Sequence, residues 1–64
     1  MKRAKLLRHL RKHGCELLRE GGRHSIWTNP RTGEQEAVPR HTEVDGRLAI
    51  KICRGLSIEP PSEK

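Results

Sequence analysis

His24-Ser25-Ile26-Trp27-Thr28, then Asn29-Pro30-Arg31-Thr32-Gly33, then Glu34-Gln35-Glu36-Ala37-Val38 is the stretch that decides the fold. Ile26, Trp27 and Thr28 are consecutive β-favouring residues, whose branched or aromatic side chains suit a pleated, half-buried surface. The middle five residues form a turn, because Pro30 fixes φ and Gly33 accepts positive φ. Glu34 to Val38 then returns as a strand, and Pro39, which has no N–H to donate, must lie at its end or on a sheet edge. Upstream, Cys15 to Glu20 reads as a first strand with Gly21-Gly22 as the tight turn out of it. The expectation is a three-stranded antiparallel meander.

Helical periodicity flanks the meander on both sides. Leu6, Leu7 and Leu10 fall within one arc at 3.6 residues per turn, so Lys2 to His13 predicts an amphipathic helix. Lys5, Arg8, His9 and Lys12 take its opposite side, and Gly14 supplies a left-handed C-terminal stop. After the strands, Thr42 followed by Asp45 resembles a capping box with Asp in place of Glu. Leu48, Ala49, Ile52, Cys53 and Leu56 share one face of the helix that follows, and Arg47, Lys51 and Arg54 share another. Ile50 lies off the apolar arc, which suits an edge contact or a partner surface. The order is α-β-β-β-α, an α+β class in which two helices cover one face of the three-stranded antiparallel sheet. That is also the layout of the double-stranded-RNA-binding domain, which reads A-form shape rather than base sequence. Residues 1–58 form the single expected domain, and 59–64, Pro-rich and polar, a flexible C-terminal tail.

Size and charge narrow the function classes. A chain of 64 residues buries only about 60% of its unfolded surface, leaving little room for a deep pocket. Lys and Arg number 14 against 8 Asp and Glu, a net charge of +6 that favours a polyanionic partner. The excess is concentrated in residues 1–13, where Lys2, Arg3, Lys5, Arg8, Arg11 and Lys12 face no acid. A solvated helix face is the plain alternative to a binding role for such a run. Cys15 and Cys53 both sit in apolar-patterned stretches, where free Cys acts as a small hydrophobe. Met1-Lys2-Arg3 leads into a charged helix rather than an apolar leader, and no run approaches membrane-spanning length. A reduced, cytoplasmic setting and no membrane association are the expectation.

Several chemistries lack their residues. Structural zinc needs paired ligands, and His9 with His13 has no second pair and lies among cations, so no metal site is expected. There is no Gly-flanked serine elbow, P-loop or dinucleotide fingerprint. His24 stands apart. It follows Gly21-Gly22-Arg23, where the glycines allow close backbone approach of a ligand. The planar fork of Arg23 suits phosphate. Imidazole is the side chain that ordinarily titrates between pH 5 and 8, and can take the proton of a ribose 2′-OH. RNA brings its own nucleophile, so this chemistry calls for no cofactor. A Gly-Gly turn before a surface histidine is also simply a hairpin. His41, in Pro39-Arg40-His41-Thr42, can bind phosphate at the mouth of the second helix or merely help to cap it. Trp27 can stack on a base, but in a chain with no Tyr or Phe it serves better as a core anchor.

The whole pattern resembles the HicA family of toxins. The resemblance rests on a basic first helix ending at Gly14, Gly22-Arg23-His24 opening a strand, and the turn Asn29 to Gly33. It continues through Val38-Pro39-Arg40-His41 and the closing helix Leu48 to Leu56, spanning residues 2–58. It implies a double-stranded-RNA-binding-like fold, ribonuclease activity on messenger RNA, and silencing by an antitoxin of the HicB type. The family's catalytic histidine, typically in Gly-Ser-His, corresponds to His24, with Arg23 where Ser is usual. Its Val-Pro-x-His segment corresponds to Val38, Pro39 and His41.

Three function classes follow. The first is a metal-independent endoribonuclease with catalytic His24 and RNA held by Lys5, Arg8, Lys12, Arg23, Arg40 and His41. The second is a non-catalytic module that binds duplex RNA by shape. The third is a basic protein that docks an acidic protein partner. One shallow surface can also serve RNA and antitoxin in turn, the antitoxin blocking His24.

Overall fold

The computed structural model describes residues 1–61 and has the order α1 (Arg3–Lys12), β1 (Glu16–Glu20), β2 (His24–Asn29), β3 (Glu34–Pro39) and α2 (Gly46–Gly55). The strands form one antiparallel sheet in the order β1-β2-β3. This is the expected α+β meander with a helix at either end. Of the tail 59–64, residues 62–64 lie outside the described residues.

The first helix ends as its sequence dictates. Gly14 takes φ +87°, so that Cys15 N–H reaches Leu10 O at 2.9 Å and Gly14 N–H reaches Arg11 O at 3.0 Å. These are the two bonds of a Schellman stop, and they satisfy carbonyls the helix leaves open. The C-terminus of α2 repeats the device with Ser57 at φ 57°, a left-handed position filled by a residue with a side chain. Ser57 Oγ donates to the Glu34 carboxylate, which ties that stop to β3. This bond first, and one from Thr32 second, holds the Glu34 carboxyl below its usual range. The start of α2 differs from expectation. Asp45, not Thr42, is the N-cap, and its Oδ1 accepts from Arg47 N–H at 2.9 Å. Thr42 is instead held by its backbone, its carbonyl accepting from Arg3 N–H.

One core lies between the helices and the sheet. Leu6 and Leu10 of α1, Trp27 and Val38 of the sheet, and Ala49, Ile52 and Cys53 of α2 are buried, together with Leu56. Full burial of each Leu, Ile or Val contributes about 1.5–3 kcal/mol, which makes this cluster the main source of stability. Trp27 is a core anchor rather than a base-stacking platform, only 1% exposed, with the Arg11 guanidinium 5.1 Å from its ring. Cys15 and Cys53 are unpaired and buried, as free thiols in apolar company. Asn29 is the second buried polar anchor of the sheet besides Ser25. Its Nδ2 donates to Leu56 O at 2.7 Å, and its Oδ1 accepts from Arg31 N–H at 3.0 Å, fastening the β2–β3 turn to the end of α2. β1 is exposed throughout. A bulge between Leu17 and Arg19 breaks its register, leaving Leu17 and Leu18 in solvent.

Candidate active site

The two ends of β2 and β3 that lie side by side build the site. His24 pairs with Pro39 across the sheet, so the turn before His24 and the chain after Pro39 leave the sheet together. Gly22, Arg23, His24, Pro39, Arg40 and His41 line one open cleft of about 480 Å³. Four residues expected to handle RNA, separated by as many as 18 positions from Arg23 to His41, are thereby brought to one place. Lys5, Arg8 and Lys12 are not among its walls. They are exposed along α1 and form a separate cationic surface.

The hairpin that presents His24 closes on a backbone bond from Gly21 N–H to His24 O, at 2.8 Å. A Cβ on Gly21 would stand 2.9 Å from that carbonyl oxygen, closer than side-chain carbons come to backbone. Gly21 therefore serves the turn itself, not ligand approach as its sequence context suggested. Gly22 has open space where a Cβ would be and lines the cleft.

Beneath the cleft runs a chain of polar contacts that sequence reading missed. Arg3 Nε donates to Pro39 O at 2.7 Å and its Nη2 to Ser25 Oγ at 2.8 Å. Ser25, next to His24 and only 1% exposed, donates to Glu20 Oε1 at 2.7 Å. Arg40 Nη2 closes the chain on Glu20 Oε1 at 2.6 Å and on Gly21 O at 2.7 Å. One arginine of the first helix thus grips both strands at the level of His24. Arg40 clamps the hairpin and neutralises the nearby Glu20 carboxylate. The cation left to meet a ligand beside His24 is Arg23, which is exposed and has no ion pair among the described residues.

The remaining histidines have other work. His13 Nδ1 donates to His9 O at 3.1 Å, and His9 Nε2 donates to Glu59 O at 2.8 Å. His9 is half-buried and fastens the start of the tail to α1, so it does not belong to the cationic face. Among the described residues, no three His, Cys, Asp or Glu side chains converge as metal ligands.

These features define a class: a small basic α-β-β-β-α domain with an exposed histidine in a cationic cleft at one end of its sheet. The chain belongs to the HicA toxin family, whose sequence model, described as HicA toxin of bacterial toxin-antitoxin, matches residues 3–57. It is accordingly the toxin of a toxin–antitoxin pair, and an antitoxin is its partner. No curated sequence and no solved structure matches it significantly. No helix among the described residues is long and apolar enough to cross a membrane.

Proposed function

We propose that this toxin is a metal-independent endoribonuclease that cleaves messenger RNA, with His24 as its catalytic residue. The observation that carries the reading is the cleft in which exposed His24 stands between Arg23 on one strand end and Arg40-His41 on the other. Such a cleft accepts a phosphodiester with its ribose, the two groups the reaction must hold. His24 takes the proton of the 2′-OH. The 2′-oxygen forms a bond to phosphorus as the bond to the 5′-oxygen breaks, leaving a 2′,3′-cyclic phosphate on one fragment. The departing 5′-oxygen takes a proton from solvent, which reaches the open cleft, and leaves as a 5′-hydroxyl. The guanidinium of Arg23 holds the phosphate oxygens through two parallel N–H bonds, which opposes the charge that builds on them. His41 contacts the RNA at the far wall. Arg40 acts chiefly by fixing the hairpin through Glu20 and Gly21. Lys5, Arg8 and Lys12 on α1 bind flanking backbone by charge, without base preference. A HicB-type antitoxin silences the toxin.

The test is incubation of purified protein with single-stranded RNA in EDTA, beside the His24→Ala variant. Cleavage by the native toxin alone supports the assignment. RNA that is retarded on a gel yet intact with both proteins would instead make this a binding module.

A further inference from the structure

We infer that the open face of the sheet, the one neither helix covers, is a second binding surface that takes a base of single-stranded RNA running on from the His24 cleft. The inference rests on the reading of that cleft as an RNA site, and strand alternation carries it. In β2, Ser25, Trp27 and Asn29 are buried on the core side, which turns His24, Ile26 and Thr28 to the open side. The register adds their neighbours on β3: Pro39 beside His24, Ala37 beside Ile26, and Gln35 beside Thr28. From β1 come Arg19 opposite Ile26 and Glu16 opposite Thr28. Glu20 accepts from buried Ser25, so the bulge leaves the next residue, Arg19, on the open side.

The composition of the successive rows selects the ligand. The first row holds His24 and Pro39, which also line the cleft. The second is Arg19, Ile26 and Ala37, an aliphatic strip ended by a guanidinium that meets no carboxylate within ion-pairing distance among the described residues. The third sets Glu16 beside Thr28 and Gln35, an acid that turns a polyanion away. Same-face residues of a strand stand about 6.8 Å apart, a step that one unstacked nucleotide spans. A phosphodiester held in the cleft therefore brings the next base over Ile26 and Ala37. There the base covers apolar surface, and the planar Arg19 guanidinium can stack on it. In a duplex the bases are stacked inward and cannot lie on such a face, so the single strand is the form that fits. The two flanks of a strand centred on the cleft then leave it by different faces, one along α1 and one across the sheet.

The test is fluorescence anisotropy of a labelled single-stranded ribo-oligonucleotide in EDTA, with His24→Ala as the parent protein so that the strand stays whole. Adding Arg19→Glu, at an exposed position, is expected to weaken binding about tenfold, as the loss of one stacked base requires. Ile26→Thr keeps a β-branched side chain and is expected to lose about fivefold. Arg31→Glu makes the same charge change in the exposed β2–β3 turn, beyond the row of Glu16, and should alter affinity by less than about twofold. An unlabelled duplex of the same sequence should compete poorly. Equal weakening by Arg19→Glu and Arg31→Glu would reduce the effect to bulk charge and overturn the inference. Equal competition by the duplex would reduce it to backbone contact and overturn it too, as would parental affinity in both Arg19→Glu and Ile26→Thr. A dimer in sedimentation that Ile26→Thr dissociates would put a second copy on this face instead. Cleavage by the native toxin together with unchanged affinities would remove the sheet face and leave the ribonuclease reading standing. Absence of RNA binding by the native toxin would remove both.

Discussion

Replacing Arg3 by Met tests whether the polar chain beneath His24 holds the sheet end together. Arg3 makes two charge-assisted bonds, to Pro39 O at 2.7 Å and to Ser25 Oγ at 2.8 Å. Hydrogen bonds to charged groups contribute about 1.5–3 kcal/mol each, and the half-buried position of Arg3 puts these at the lower end. Met keeps the aliphatic packing and removes both bonds, a loss of about 3 kcal/mol. A domain of this size has only about 3–5 kcal/mol of net stability, so most of it is at stake. At roughly 4–8 °C per kcal/mol, the melting temperature followed by circular dichroism should fall by about 12–24 °C. Arg3→Lys keeps the charge but lacks the fork that reaches both acceptors, and should lose about half as much. Ser25→Ala removes the same link from the other side. Because both variants break one shared bond, the double variant should be less destabilised than the sum, by about 1 kcal/mol. A Tm within about 3 °C of native for Arg3→Met, or strict additivity with Ser25→Ala, would refute the reasoning.

Asn29→Ala removes the bonds to Leu56 O and from Arg31 N–H, and should cost about 2–3 kcal/mol in urea unfolding while sparing RNA binding at the other end of the sheet. Stability should also fall in alkali. Burial raises both thiols, Cys53 to about 11 with Cys15 as a lesser electrostatic cause, from an ordinary value of 9.0. The folded state therefore favours the protonated thiols: their contribution is complete below pH 9 and lost as pH rises through about 11. The unfolding midpoint should decline over that window, and a Cys15→Ala/Cys53→Ala variant should show a flatter decline. Charge reversal at Arg8 and Lys12 should weaken RNA binding and reduce the log–log salt slope by about one to two units, as phosphate contacts are lost. An unchanged slope would remove α1 from the RNA surface.

Local rules made most of the fold legible. The arcs through Leu6 and Leu10 and through Ala49, Ile52 and Cys53 both mark the buried sides of their helices. Gly14 and the turn from Asn29 to Gly33, where Gly33 takes φ +80°, stand where their backbone chemistry required. The candidate site was legible as residue types, and the pairing of His24 with Pro39 explains why two separate motifs meet. What escaped is long-range and polar. Arg3 reaches Ser25 and Pro39 across 22 and 36 positions, and such contacts have no periodicity to betray them. Arg3 read simply as one more cation of a basic helix. The cap of α2 was misplaced because Thr42 and Asp45 are both good capping residues, and the carbonyl of Thr42 is already engaged by Arg3 N–H. His9 was assigned to the cationic face because its bond to Glu59 O spans 50 positions. The bulge between Leu17 and Arg19 has no counterpart in the reading of Cys15 to Glu20 as a plain strand.

The central claim is that His24 turns the RNA's own 2′-hydroxyl against its phosphate. The most direct measurement compares two otherwise identical oligonucleotides in EDTA, one all-ribose and one 2′-O-methylated throughout, with native toxin and His24→Ala. Cleavage of the ribose strand by the native protein alone is expected, with fragments ending in 2′,3′-cyclic phosphate and 5′-hydroxyl. Cleavage of the methylated strand, or undiminished cleavage by His24→Ala, would contradict it.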